Sequence, residues 1–275
     1  MNSLPSIAQL LSGVKTKKPL VHHLTNYVTV NDCANIVLAL GGSPVMADEE
    51  GEAAEMVGLA SALVVNIGTL NDRTIRSMFA AAKRANELGV PVVLDPVGAG
   101  ATSLRTLTAE RFLREVKLAV LRGNMSEVKT LSGAVSATRG VDSTDDPAGA
   151  GEMAAALALK YGCVVAITGA RDVVTDGVRT AFIDNGHPLL AQVTGTGCMA
   201  TSLVGCFCGV TGDPYLGACA GIMAMGLAGE KAFDNLGGSG GIGKFRVNLM
   251  DAIFQLDSAD FLAGGKLTEK GGGRP

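Results

Sequence analysis

Short, nearly apolar runs recur along this chain with amphipathic stretches between them, and that alternation leaves few folds open. Ala62 to Ile67 is an almost continuous apolar run of strand length. The spacing predicts further strands over Leu20 to Leu24, Ser43 to Met46, Val90 to Leu94, Leu118 to Leu121 and Cys163 to Thr168. Between them it predicts helices over Val30 to Leu40, Glu49 to Ala60, Asp72 to Leu88 and Ser126 to Ser132. Another helix ends near Lys160, with a polar stretch through Ser143, Thr144 and Asp145 as its cap. Strands covered on both faces lose the polar alternation of half-exposed ones, so this rhythm implies an α/β domain with a mostly parallel central sheet between two helical layers. Asp172 to Thr175 and Arg179 to Ile183 flank an Asp176-Gly177 turn, a hairpin signal that adds antiparallel strands at one edge. From Cys198 to about Leu262 the chain reads as almost wholly helical, and the glycine-rich, charged stretch from Gly264 to Pro275 as a disordered tail.

With 275 residues, 47% of them hydrophobic, and no linker or internal repeat, the chain suits one large domain over residues 1–264, followed by a tail over 265–275. A net charge of -3 with both signs interspersed provides no basic stripe, which argues against nucleic acid or an anionic membrane as partner. Small molecules remain. The amino-terminal stretch places its lysines after a short apolar turn, the reverse of a secretory signal. The best candidate for a membrane span, 214–233, is broken by glycines and ends in Glu230 and Lys231. The expected location is the cytoplasm. The 6 cysteines include no C-x-x-C pair and read as reduced thiols, with Cys33, Cys163, Cys206, Cys208 and Cys219 as small core residues.

In open α/β sheets ligands gather beyond the carboxyl ends of the strands, which directs attention to polar residues there. Asp95 ends one apolar run. Arg122, Asn124 and Glu127 follow another, although Asn124 and Glu127 also have capping-box spacing, and Thr168-Gly169 closes a third. The stretch Val193-Thr194-Gly195-Thr196-Gly197-Cys198-Met199-Ala200 sets two glycines before a helical run, the outline of a phosphate site at a helix N-terminus. It also fits G-x-G-x-x-A, but it lies too late in the chain for a dinucleotide fingerprint. Two carboxylates, a guanidinium, a threonine hydroxyl and such a helix end are parts suited to a magnesium nucleoside triphosphate. Other matches carry less. Gly238 to Lys244 has P-loop spacing but continues into Phe245 instead of Ser or Thr. His22 and His23 are adjacent, which is not metal-ligand spacing on a helix, and Met223 and Met225 read as helix packing.

Taken together, Thr194-Gly195-Thr196-Gly197-Cys198, Asn124-x-x-Glu127, His22-His23-Leu24-Thr25-Asn26-Tyr27-Val28-Thr29 and Ser43-Pro44-Val45-Met46-Ala47-Asp48 resemble the hydroxyethylthiazole kinase family of the ribokinase-like superfamily, from about Leu20 to Gln255. The resemblance implies a ribokinase-like fold. It also implies phosphorylation of the primary alcohol of 4-methyl-5-(2-hydroxyethyl)thiazole by ATP with magnesium, in thiamine biosynthesis or salvage. By the same resemblance Arg122 and Thr168 contact ATP, Met46 and Gly195 contact the thiazole, and Asp95 and Glu127 organise magnesium. Cys198 stands where many members of the superfamily carry an aspartate base. A homotrimer is implied too, with pockets at subunit boundaries near Asn26 and Met46, and the Gly/Ala-rich helical surface over 197–233 allows close packing. Another ribokinase-like small-alcohol kinase, a nucleotide-repair lyase and a non-catalytic nucleotide-binding regulator stay open. Cysteine at the base position makes a regulator conceivable, and intact Asp95, Arg122, Asn124 and Glu127 favour catalysis.

Overall fold

The computed structural model describes residues 3–133, 147–238 and 240–271. In chain order, α1 (Leu4–Lys17) leads to β1 (Leu20–Leu24), α2 (Val30–Leu40), β2 (Ser43–Val45), α3 (Glu50–Val57), β3 (Ala62–Asn66), α4 (Asp72–Leu88) and β4 (Val92–Asp95). There follow α5 (Ser103–Glu115), β5 (Val120–Asn124), α6 (Met125–Leu131), α7 (Pro147–Tyr161), β6 (Val164–Thr168), β7 (Asp172–Thr175) and β8 (Arg179–Ile183). A 3-10 turn over Pro188–Gln192 then precedes α8 (Thr196–Cys208), α9 (Pro214–Asp234), α10 (Ile242–Gln255), α11 (Ser258–Gly264) and β9 (Leu267–Gly271).

The strands form one sheet in the order β2-β1-β3-β4-β5-β6-β7-β8-β9. β2, β1, β3, β4, β5 and β6 run parallel, and β7, β8 and β9 continue the sheet antiparallel. Alternation along each strand divides the core in two. Ala62, Val64, Val93, Val120 and Ala166 pack under α8 and α9, whereas Leu63, Val65, Leu94, Leu121 and Ile167 pack against α4, α5 and α7. The molecule is therefore a single α/β domain with helices on both faces of a mostly parallel sheet.

Several sequence expectations shift. The strand expected over Val90 to Leu94 begins at Val92, after Pro91, and includes Asp95. β5 runs on through Arg122 to Asn124, so these two residues belong to the strand. The helix expected from Cys198 begins two residues earlier, at Thr196, and the helical run breaks into α8, α9, α10 and α11. Part of the expected tail is ordered: Leu267–Gly271 pairs antiparallel with β8, and Glu269 accepts hydrogen bonds from the Ser3 amide and hydroxyl at 2.8 and 2.7 Å. The packing surface expected over 197–233 is largely spent inside the chain's own core, where α8 and α9 are buried along most of their length. The proposed cap at Ser143, Thr144 and Asp145 lies outside the described residues. Among the described residues no helix is long and apolar enough to cross a membrane. Cys33, Cys163, Cys206, Cys208 and Cys219 are buried free thiols, and Cys198 is half-buried.

Candidate active site

Because side chains alternate along strands, Asn66, Asp95, Arg122 and Thr168 share a face with Val64, Val93, Val120 and Ala166 and point toward α8 from the carboxyl ends of four neighbouring strands. Parallel register sets Asn66 opposite Asp95. Asp95 Oδ2 accepts hydrogen bonds from Asn66 Nδ2 at 2.9 Å and Thr201 Oγ1 at 2.8 Å, and Arg122 Nη1 lies 3.7 Å away. Asp95 Oδ1 is buried without a hydrogen-bond partner among the described residues, as is Arg122 Nε. Burial is the main cause that pushes the Asp95 carboxyl up to about 6; the Glu127 charge adds to it, and Arg122, Thr201 and Asn66 oppose it.

Arg122 reaches from β5 to Thr168 on β6, its Nη2 donating to Thr168 Oγ1. It also packs on the first turn of α8. A Cβ added at Gly197 would lie 2.8 Å from Arg122 Nη1, so glycine here gives the guanidinium its place. Gly195 is the N-cap residue with φ +86, and no side chain caps the helix. The first-turn amides of α8 thus stand beside Arg122 as donors suited to phosphate oxygens. A Cβ at Gly195 would fall 2.6 Å from Thr29 Cγ2, on the loop after β1.

Cys198 is the third residue of α8. Asn66 Nδ2 donates to its sulfur at 3.2 Å and Asn26 Nδ2 at 3.4 Å; Asn26 Nδ2 also donates to Asn66 Oδ1 at 3.0 Å. Burial raises the thiol pKa first and the nearby Asp95 second, while hydrogen bonds from Thr29, Asn26 and Asn66 pull it down. Glu127 forms the reciprocal capping box with Asn124 at the start of α6. Its Oε1 accepts from the Gly98 amide at 2.9 Å, and its Oε2 from the Asn124 amide at 2.8 Å. Met46 lies just beyond β2 at the sheet edge, separated from β3 by β1.

The sequence model of the hydroxyethylthiazole kinase family matches residues 11–259. The chain belongs to the hydroxyethylthiazole kinase family. It is 55% identical over 264 residues to the hydroxyethylthiazole kinase of Alkaliphilus oremlandii, covering 96% of this chain and 97% of that one. It is also similar to the solved structure of the hydroxyethylthiazole kinase protein from Pyrococcus horikoshii OT3, with TM-score 0.89, 41% identity and coverage of 96% and 99% of the two chains. The fold extends further: a ribokinase-like superfamily protein from Enterococcus faecalis superposes with TM-score 0.61 at 12% identity, covering 89% of each chain. Within the hydroxyethylthiazole kinase fold seen here, Asp95, Arg122, Thr168, Gly195, Cys198 and Glu127 gather along one end of the sheet and the start of α8.

Four contributors to this cluster escape a reading by motif. Asn66 ends an apolar strand as Asp95 does, and that shared pattern is the signal that finds it. Thr201 lies one helical turn beyond Gly197, its hydroxyl 3.2 Å from the Gly197 carbonyl. Asp172 at the start of β7 accepts from the Gly169 amide at 2.9 Å, and burial pushes its carboxyl up to about 7; Asp184 adds to the shift, and Gly169 and Arg122 oppose it. Arg105 has no sequence signal of its own. His22 and His23 serve the scaffold: His22 Nε2 lies 2.8 Å from the Ala47 carbonyl, and His23 bonds Ser202 and the Val21 carbonyl.

Proposed function

We propose that this chain transfers the γ-phosphoryl group of ATP to the primary alcohol of 4-methyl-5-(2-hydroxyethyl)thiazole, in thiamine biosynthesis or salvage. The observation that carries the reading is the gathering of Arg122, Asp95 and Cys198 at the first two turns of α8, Asp95 through Thr201, in a chain of this family. Phosphoryl transfer asks a protein mainly for positioning and charge stabilisation, and this cluster supplies both.

In this reading Arg122 and Thr168 hold the nucleotide, with the α8 amides receiving phosphate oxygens. Met46 and Gly195 bind the thiazole. The thiolate form of Cys198 accepts the proton of the substrate hydroxyl as the substrate oxygen bonds to the γ-phosphorus and the bond to ADP breaks. Since its thiol pKa is raised, Cys198 is largely protonated at neutral pH and contributes part of the acceleration. Asp95 and Glu127 fit magnesium: both offer hard oxygen ligands, and Asp95 Oδ1 has no hydrogen-bond partner among the described residues. Among the described residues no three His, Cys, Asp or Glu side chains cluster closely enough to hold a metal by themselves, so phosphate and water would complete its shell. When bound, magnesium would neutralise charge on the phosphates.

The working form in this proposal is a cytoplasmic homotrimer with the thiazole pocket at the subunit boundary. The large exposure of Tyr27 (80%) and Val28 (59%), beside Asn26, supports a neighbour there. Light scattering at the assay concentration checks the assembly, and a fully active monomer overturns it.

Incubation with ATP, magnesium chloride and a panel of alcohols, with ADP and the phosphate ester both quantified, tests the reaction. The thiazole alcohol should be the fastest acceptor. Faster turnover of a pyrimidine alcohol, or nucleotide binding with no product from any acceptor, would replace this reading.

A further inference from the structure

Every other arginine among the described residues lies within ion-pairing distance of a carboxylate; Arg105 does not. It projects from the first turn of α5, half-buried, across the carboxyl ends of β3 and β4. Its Nη2 donates to the Gly68 carbonyl at 2.7 Å, and its guanidinium lies so close over Gly98 that a Cβ there would collide with Nη1. These two contacts lead to opposite ends of the site. The Gly68 amide donates to Asn66 Oδ1 at 2.9 Å, and Asn66 Nδ2 in turn donates to Cys198 Sγ at 3.2 Å. The Gly98 amide donates to Glu127 Oε1 at 2.9 Å.

A guanidinium remains charged at any working pH, presents five N–H donors in a planar fork, and matches phosphate oxygens in pairs. Partial burial strips water from that charge, and the Gly68 carbonyl is a dipole that offsets it only in part. The group that passes between the proton acceptor and the carboxylates of a kinase is the phosphoryl group. We propose that Arg105 binds this group during transfer, holding the γ-phosphate of the triphosphate and then the phosphate of the product monoester. This rests on the kinase reading above. It gives Arg105 a role distinct from Arg122, whose charge already faces Asp95.

The test compares wild type, Arg105→Gln and Arg105→Lys in turnover and in calorimetric binding of ADP, a nonhydrolysable ATP analogue, the thiazole alcohol and its phosphate monoester. Arg105→Gln should lower kcat by about 100-fold to 1,000-fold, the cost of removing one preorganised donor to a transition-state charge. It should weaken the monoester and the ATP analogue by about tenfold or more each, as loss of a charge-assisted contact does. ADP and alcohol affinity should hold, and Arg105→Lys should restore part of both losses, since it keeps the charge without the fork. Unchanged monoester affinity overturns the proposal, including the case in which only the ATP analogue weakens. Parallel weakening of all four ligands with a lower melting temperature also overturns it, because that marks a staple between two loops. A wild type that makes no product overturns the kinase reading, and monoester binding to wild type and variant still decides Arg105.

Discussion

Asn66 stands one hydrogen bond from Cys198, its Nδ2 3.2 Å from the sulfur, and the same nitrogen lies 2.9 Å from Asp95 Oδ2. A single amide thus joins the proposed proton acceptor to a proposed cation ligand. An amide donor favours thiolate over thiol, so Asn66→Ala should raise the Cys198 pKa and lower kcat by about tenfold, the effect of one hydrogen bond to a charged atom. Iodoacetamide alkylation followed against pH reads this at Cys198, because the other five cysteines are buried. An alkylation profile that does not move would show that the amide leaves the sulfur's charge unaffected.

Cys198 itself separates proton acceptance from packing. Removing a general base costs about 100-fold to 10,000-fold, and Cys198→Ala should fall near the lower end because a largely protonated thiol supplies only part of the effect. Cys198→Asp, similar in size and a stronger candidate for ionisation, should keep activity. Steady-state rates with melting curves decide between the roles: an alanine variant as fast as wild type removes Cys198 from the chemistry.

Asp95 makes two pH effects coincide. Its carboxyl titrates near 6 in the native protein and at about 4 in an unfolded chain. Between those values the native state keeps a proton that the unfolded state has released, so the stability Asp95 contributes is present below about pH 4 and is lost as pH rises through about 6. Asp95→Asn should therefore gain stability relative to wild type over that interval, seen as a pH-dependent difference in Tm. Magnesium needs the ionised form, so wild-type turnover at limiting magnesium should decline below about pH 6. Glu127→Gln should likewise weaken the response to magnesium. A flat Tm difference, or turnover of Asp95→Asn and Glu127→Gln equal to wild type at limiting magnesium, would separate these carboxylates from the assigned roles.

Gly197→Ala tests the seat of Arg122. Alanine in a helix is favoured over glycine by about 1 kcal/mol, so the backbone should tolerate the change. The added Cβ, 2.8 Å from Arg122 Nη1, has to displace the guanidinium. The KM for ATP should rise by about tenfold, the equivalent of roughly 1.4 kcal/mol, with Tm close to wild type. An unchanged KM would mean that Arg122 does not hold the nucleotide.

The elements that motif and periodicity make legible are those with strong local signals. Ala62 to Ile67 and Val90 to Leu94 stand out because burial on both faces concentrates apolar residues, and Asp95, the polar residue that follows the second run, marks a ligand-facing edge. α5 is poorly visible because Leu104 and Leu107 are exposed and only Thr108, Ala109, Phe112 and Leu113 turn inward, which hides Arg105 with it. α1 is obscured by Lys15, Lys17 and Lys18 at its end, although Ile7, Ala8, Leu11 and Val14 have helical spacing. β9 depends on a partner: Leu267–Gly271 is a polar, glycine-bounded segment, and the ladder of β8 makes it a strand. Asn66 is signalled only by its place at the end of a strand and Asn26 only by its place in the His22 to Thr29 motif; the fold brings their amides to one sulfur.

The near-sequential order of the sheet bears on how the molecule is made. Apart from the exchange of β1 and β2, each new strand joins the growing edge, so a nascent chain leaving the ribosome can pair its strands as they emerge, through β8 at Ile183. The two sides of that sheet are not sheltered at the same time. α3, α4, α5 and α7 follow closely on the strands they cover, whereas much of the other side, from Val64 to Ala181, waits for α8 and α9 and the residues after Thr196. A chain ending just before that threonine would hold β1 to β8 without β9 and with a broad apolar side facing water, the species on which a chaperone or an aggregate would act first. The helix that completes the proposed catalytic cluster is thus also the one that begins to close this side, and the site and a water-tight fold arrive together.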